Sequence, residues 1–186
     1  MRLVRSWPKD PPENHPKILD DCERVYVKTI DYRPLADLDD DVIHLDWDVA
    51  VGLIELREFA QKCMAEPEIV RTAPTMTYKS RFWYAEGSAS RPWNEEWMAR
   101  VQMPVGRRVI KQGEPYANHV AFGLIYFPRW TLQEFVATLH AGENFRDGNF
   151  CEWYYKRTNG IPIPVEWGTH AVHTNYSMRT ALEGLQ

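Results

Sequence analysis

The sequence predicts an α+β fold: a mainly antiparallel sheet of about five to seven strands, with two main helices at about 47–65 and 132–140 packed on one face of it. Three observations carry that expectation. Strand-like segments follow one another in runs, and only two segments carry a clear helical period. Apolar residues make up 44% and charged residues 26% of the chain, which is globular composition. The length of 186 residues suits one domain, and neither an internal repeat nor a linker-like composition divides it.

Taken in order, residues 1–21 hold Pro8, Pro11, Pro12 and Pro16 and read as an extended, proline-rich arm, leaving 22–186 as a single α+β domain. Residues 23–31 are rich in β-branched and aromatic types and read as a first strand. An acidic loop from Pro34 to Asp41 follows. From Trp47 to Ala65 the apolar residues Leu53, Leu56, Phe59, Ala60 and Cys63 recur at helical spacing, with Asp46 or Asp48 as the cap and Pro67 as the stop.

Thr75–Tyr84 alternates as a half-buried strand, and Trp97–Met103 and Arg107–Lys111 read as two more. Tyr116–Phe127 is almost continuously apolar, as a central strand covered on both faces would be, and Pro128 ends it. Thr131-Leu-Gln-Glu134 has the form of a capping box, which predicts a helix to about His140 with Gly142 as its stop. Phe150–Lys156 reads as a strand, Asn159-Gly160 as a turn, Pro162–Pro164 as an edge segment, and Met178 onward as a short terminal helix behind Ser177.

The charge is unevenly spread. Residues 1–70 hold 9 basic and 16 acidic side chains, 71–111 hold 8 and 3, and 112–186 hold 5 and 7. Opposite segments of this kind are expected to neutralise each other in the fold. The net charge of -4 is too small to signal a polyanion mimic. Cys22, Cys63 and Cys151 are odd in number and widely spaced, so they read as buried free thiols of a reducing compartment. Residues 1–12 lack an export-type apolar run and no stretch is long enough to span a bilayer, so a cytoplasmic protein is expected.

Chemistry-bearing motifs are sparse. His170-Ala-Val-His173, with Glu166 upstream, offers metal-ligand types, but in a strand the two imidazoles point apart. Asp37, Asp39 and Asp41, with Asp48 at the twelfth position, echo a calcium loop that fails at Val42, where glycine is required. His119 and His170 form a possible acid/base pair, but Ala121 and Val172 stand where two-histidine phosphoesterases carry hydroxyls. No phosphate-binding glycine loop, esterase elbow or C-x-x-C is present, and neither a cofactor nor a metal is expected.

The 24 aromatics exceed what a core of this size requires, which points to exposed anchors. The leading expectation is therefore a macromolecule-binding protein, as inhibitor, adaptor or assembly subunit. It would hold a protein partner through Lys79, Arg81, Trp83, Trp93, Trp97 and Arg100, with Asp37, Asp39, Asp40 and Asp41 as an acidic patch. One alternative is a hydrolase or transferase for a phosphorylated, nucleotide or sugar substrate that uses His119, Glu166, His170 and His173. Another is single-stranded nucleic-acid binding by the basic 71–111 region.

Overall fold

A computed structural model describes residues 1–8, 23–27, 31–47, 49–76, 99–103, 106–109, 115–169 and 171–173, without side chains for 7–8, 23–24, 26–27, 76, 99–103, 106–109, 119 and 172–173. In chain order the elements are β1 (Arg2–Pro8), β2 (Glu23–Val27), a 3₁₀ helix (Arg33–Leu38), β3 (Val42–Leu45), β4 (Val49–Val51) and α1 (Leu53–Ala65). Next come β5 (Arg71–Ala73), β6 (Thr75–Met76), β7 (Ala99–Met103), β8 (Gly106–Val109), β9 (Tyr116–Ala117), β10 (His119–Val120) and β11 (Leu124–Phe127). The chain continues through α2 (Arg129–Thr138), α3 (Asp147–Arg157), β12 (Ile163–Pro164) and β13 (Ala171–His173).

The architecture is mixed α+β, and the main sheet has the order β2-β1-β3-β11-β5. β1 runs parallel to both β2 and β3, while β11 is antiparallel to β3 and β5. The sheet is therefore mixed, although antiparallel pairing prevails elsewhere, in β7/β8, β7/β10, β9/β12 and β4/β13. The parallel trio was hidden from the sequence because its pairing depends on which strand lies between which, and no local residue pattern encodes that.

Alternation along the central strands sends successive side chains to opposite faces. Val4, Val42, Ile125 and Phe127 join Leu132 and Phe135 of α2 and Phe150, Cys151 and Tyr154 of α3 in one apolar cluster. Ile43, Leu45, Leu124, Tyr126 and Ala73 join Leu56, Phe59 and Cys63 of α1 in a second. Helices thus cover both faces, where one covered face was expected. The first cluster is aromatic: the Phe122, Phe127, Phe135, Phe145 and Phe150 rings meet at 4.8–6.1 Å, mostly edge to face.

Several local expectations change. Residues 2–8, the start of the predicted arm, form an interior strand instead of a loosely held appendage, because Val4 and Ser6 are buried between two neighbours. The first helix starts at Leu53, not Trp47: Val49–Val51 pairs with β13, and Gly52 caps the helix. Leu53 is consequently 56% exposed, while Leu56, Phe59 and Cys63 form the buried stripe.

Tyr116–Phe127 is not one strand but β9, β10 and β11, broken at 121–123. α2 runs 129–138 with Pro128 as its cap. Thr131 donates its hydroxyl back to the Pro128 carbonyl, and Glu134 pairs with Arg157, so no capping box forms there. Phe150–Lys156 is helical, because Phe150, Cys151 and Tyr154 pack at three- and four-residue spacing into the aromatic cluster. The reciprocal cap occurs at this helix instead, between Arg146 and Asn149. Asn159 and Gly160 form the expected turn, with φ of 55° and 88°.

Candidate functional site

The first two residues of interest come from adjacent positions of β1. β3 ends beside the middle of β1, with Arg5 in register with Leu45, which brings Ser6 level with Asp46, the residue that follows β3, while β1 runs on to Pro8. The Ser6 hydroxyl, fully buried, donates to Asp46 Oδ1 at 2.9 Å. The Trp47 N–H donates to the same oxygen at 3.0 Å. Asp46 N–H donates to the Gly123 carbonyl at 2.9 Å, which ties the loop to the residue before β11.

Arg5 supports the loop from below. Its side chain is buried, and Nη1 donates to the carbonyls of Asp46, Trp47 and Val49 at 2.8, 3.1 and 2.8 Å. The Val49 N–H turns back onto the Asp46 carbonyl at 3.1 Å. β4 then leads away to pair with β13, with Val49 opposite His173. The loop Asp46–Val49 is thus held from inside, and the Asp46 and Trp47 side chains are half-buried at its surface.

This location has general significance. The chain leaves β1 for β2 on one side and then returns to β3 on the other side of β1. Such a reversal of strand order opens a crevice at the carboxyl ends of the parallel strands, and ligands of open α/β sheets bind there. Asp46 stands at that edge. Among the described residues no group of three or more His, Cys, Asp and Glu side chains is arranged to hold a metal ion. Asp48, two residues on, lies outside them.

The residues singled out from the sequence are scattered. Lys79, Arg81, Trp83, Trp93, Trp97 and His170 lie outside the described residues. Arg100 and His119 are register partners in β7 and β10, in a different sheet from His173 in β13. Glu166 does not serve as a free acid or base here: it accepts from Lys62 Nζ at 2.5 Å and from the Arg71 guanidinium, whose other arm meets Glu66.

The acidic segment is also used within the fold. Asp40 binds the N-terminal amine at 2.8 Å and lies near Arg2, which with its bond to Asp41 holds its carboxyl below the usual carboxylate range. Asp39 pairs with Arg129 and accepts from Gln133, and Asp41 accepts the Arg129 N–H at 2.9 Å. Asp37 is exposed at the 3₁₀ helix. Val42, where a calcium loop would need glycine, is a buried strand residue. Buried aromatics account for much of the apparent excess, and Cys63 and Cys151 are buried free thiols.

Reading the sequence alone treated Asp46 as a helix cap and missed Arg5 and Ser6. The signal available was an apolar run, Val42–Leu45, followed at once by Asp46-Trp47-Asp48. Two acids just past a buried strand mark a loop at a strand end, but only the position of β1 beside β3 brings Arg5 and Ser6 to it.

No protein-family model matches the chain, and no curated protein matches it. Among solved structures, A197 from STIV is similar with a TM-score of 0.53 and 14% identity over 93% of this chain and 85% of that one. At that identity the likeness concerns the fold alone. A structure assigned as a glucose-1-phosphate thymidylyltransferase from Bacillus anthracis aligns with a TM-score of 0.46 and 10% identity, over 86% of this chain and 64% of that one.

Proposed function

We propose that the chain is an enzyme acting on a phosphorylated nucleotide or sugar substrate, a transferase or hydrolase, with its ligand at the carboxyl end of β3 beside β1. The observation that carries this reading is the Ser6–Asp46 pair at the reversal of strand order. Asp46 replaces the histidine and Glu166 set as the group to test, since Glu166 is committed to Arg71 and Lys62. A carboxylate repels a phosphate, so the chemistry calls for a divalent cation between them, with Mg²⁺ or Mn²⁺ as the hard, oxygen-seeking choice.

The test is calorimetric titration of the full chain with nucleoside diphosphates and inorganic pyrophosphate, with and without Mg²⁺ or Mn²⁺. Cation-dependent binding weakened at least about tenfold by Asp46→Asn is the expected result. Binding that ignores both the cation and Asp46→Asn would overturn it. So would the absence of binding at millimolar ligand.

Protein binding stands second. Its anchors Lys79, Arg81, Trp83, Trp93 and Trp97 lie outside the described residues, and the observation in its favour is apolar exposure on α1, with Ile54 at 73% and Met64 at 59%. A partner interaction that survives nuclease and is lost in the Arg81→Ala, Trp83→Ala double variant would promote it. Nucleic-acid binding by 71–111 would show itself by loss of affinity with salt.

A further inference from the structure

We infer that Arg5 is the positioning residue of the Asp46 loop, fixing the backbone on which the acid is presented. The inference rests on the reading that this loop is the ligand site. Three separate atoms of Asp46 are held by groups of the surrounding fold: its N–H by the Gly123 carbonyl, its carbonyl by Arg5, and its Oδ1 by Ser6. Two of those three holders are consecutive residues of β1.

A guanidinium that is 1% exposed carries a large desolvation cost. Nη1 meets part of that cost with the carbonyl oxygens of residues 46, 47 and 49. The Asp46 carbonyl also accepts the Val49 N–H, so the guanidinium adds to a turn that the backbone itself closes. The two N–H groups of Nη1, one of them shared, thus draw three carbonyls of the turn toward one point and favour one path for it. A lysine would retain the charge as a compact ammonium on a differently shaped stem, so its nitrogen would not occupy the point where Nη1 meets the three carbonyls. A ligand group fixed before binding costs less to order when the ligand arrives, so loss of the guanidinium is read at the site and not only in stability.

The test compares the full-length protein with Arg5→Lys, Asp46→Asn and the combined variant. Two measurements are made: affinity for adenosine and uridine diphosphates with Mg²⁺, and amide hydrogen exchange of Trp47 and Val49. The expected result is faster exchange at Val49 in Arg5→Lys with the exchange of β3 and β11 unchanged, and about tenfold weaker binding. Asp46→Asn should cost at least about tenfold in the parent but less than about threefold beside Arg5→Lys, because both act through one loop. A purely structural role would leave the Asp46→Asn penalty equal in both backgrounds, and that equality would overturn the inference. Unchanged exchange at Val49 in Arg5→Lys would overturn it as well. If no diphosphate binds the parent chain, the site reading fails, while the exchange measurement still decides whether Arg5 sets the loop.

Discussion

At the scale of the residue, burial decides what the titratable groups can do. His44 sits inside β3 with the Tyr32 ring at 5.1 Å and the Phe127 ring at 6.4 Å, and burial, aided by the nearby Arg5 charge, lowers its pKa to about 3. In the unfolded chain it takes up a proton near pH 6.5. Between those values the unfolded state binds more protons, so stability is full above about pH 6.5 and falls as the pH drops toward 3. Urea unfolding at pH 7 and pH 5 should show a loss of at least about 1 kcal/mol for the parent chain, and His44→Leu should shrink that difference. An equal difference in both proteins would place the pH dependence on other groups.

Glu166 illustrates the same point for a group that looked chemical in the sequence. Its carboxylate is mostly buried against Arg71, whose side chain is 7% exposed. Glu166→Gln leaves that guanidinium with Glu66, so the expected loss is about 1–3 kcal/mol of stability. Diphosphate affinity measured well below the melting temperature should be unchanged. An affinity loss without a stability loss would return Glu166 to the site. Cys63 is raised by burial to about 12, so its thiol stays protonated at neutral pH. Thiol titration of the native protein should therefore detect at most one of the three cysteines, with all three reacting in denaturant.

At the scale of the element, the decisive feature is how tightly the strands pass one another near the loop. A Cβ built on Gly123 would lie 2.2 Å from Thr75 Oγ1 and 2.8 Å from its Cβ, so β6 and the approach to β11 touch only because that residue is glycine. Thr75 is buried at 1% exposure and has no room to withdraw. Gly123→Ala should cost about 1–3 kcal/mol and also disturb the carbonyl that receives the Asp46 N–H. Its thermal midpoint and the exchange of the Asp46 amide report the two effects separately.

Elements also show why local reading succeeded or failed. Leu56, Phe59 and Cys63 announce α1 because their period matches the face that meets the sheet. Phe150–Lys156 misleads because Phe, Trp and Tyr favour strands in general, whereas here their rings fill a cluster that only a helix can reach with Phe150 and Tyr154 together. Thr131 and Glu134 have the letters of a capping box, but a fully buried threonine and a glutamate drawn to Arg157 are no longer available as caps.

At the scale of the whole molecule, β1 is the member on which the rest depends. It contributes the middle strand of the parallel trio, Val4 to one cluster, Leu3 to the other, and Arg5 and Ser6 to the candidate site. Removing residues 1–8 should abolish cooperative unfolding, as judged by near-ultraviolet circular dichroism and a melting curve. A truncated chain that still melts cooperatively would show that the sheet tolerates the loss of the strand between β2 and β3. Among the described residues no helix is long and apolar enough to cross a membrane.

The sequence by itself determined the α+β mixture, the buried stripe of α1, the Asn159-Gly160 turn and the buried thiols Cys63 and Cys151, since each follows from spacing, turn chemistry or composition within a short stretch. Tertiary structure alone decided that an N-terminal, proline-flanked segment lies between β2 and β3 and that helices cover both faces. It also decided that Asp46, read locally as a cap, meets Arg5 and Ser6 from about 40 positions away. The physical reason is that hydrogen-bond registers between parallel strands are fixed by long-range packing of apolar faces, which no short stretch of sequence encodes.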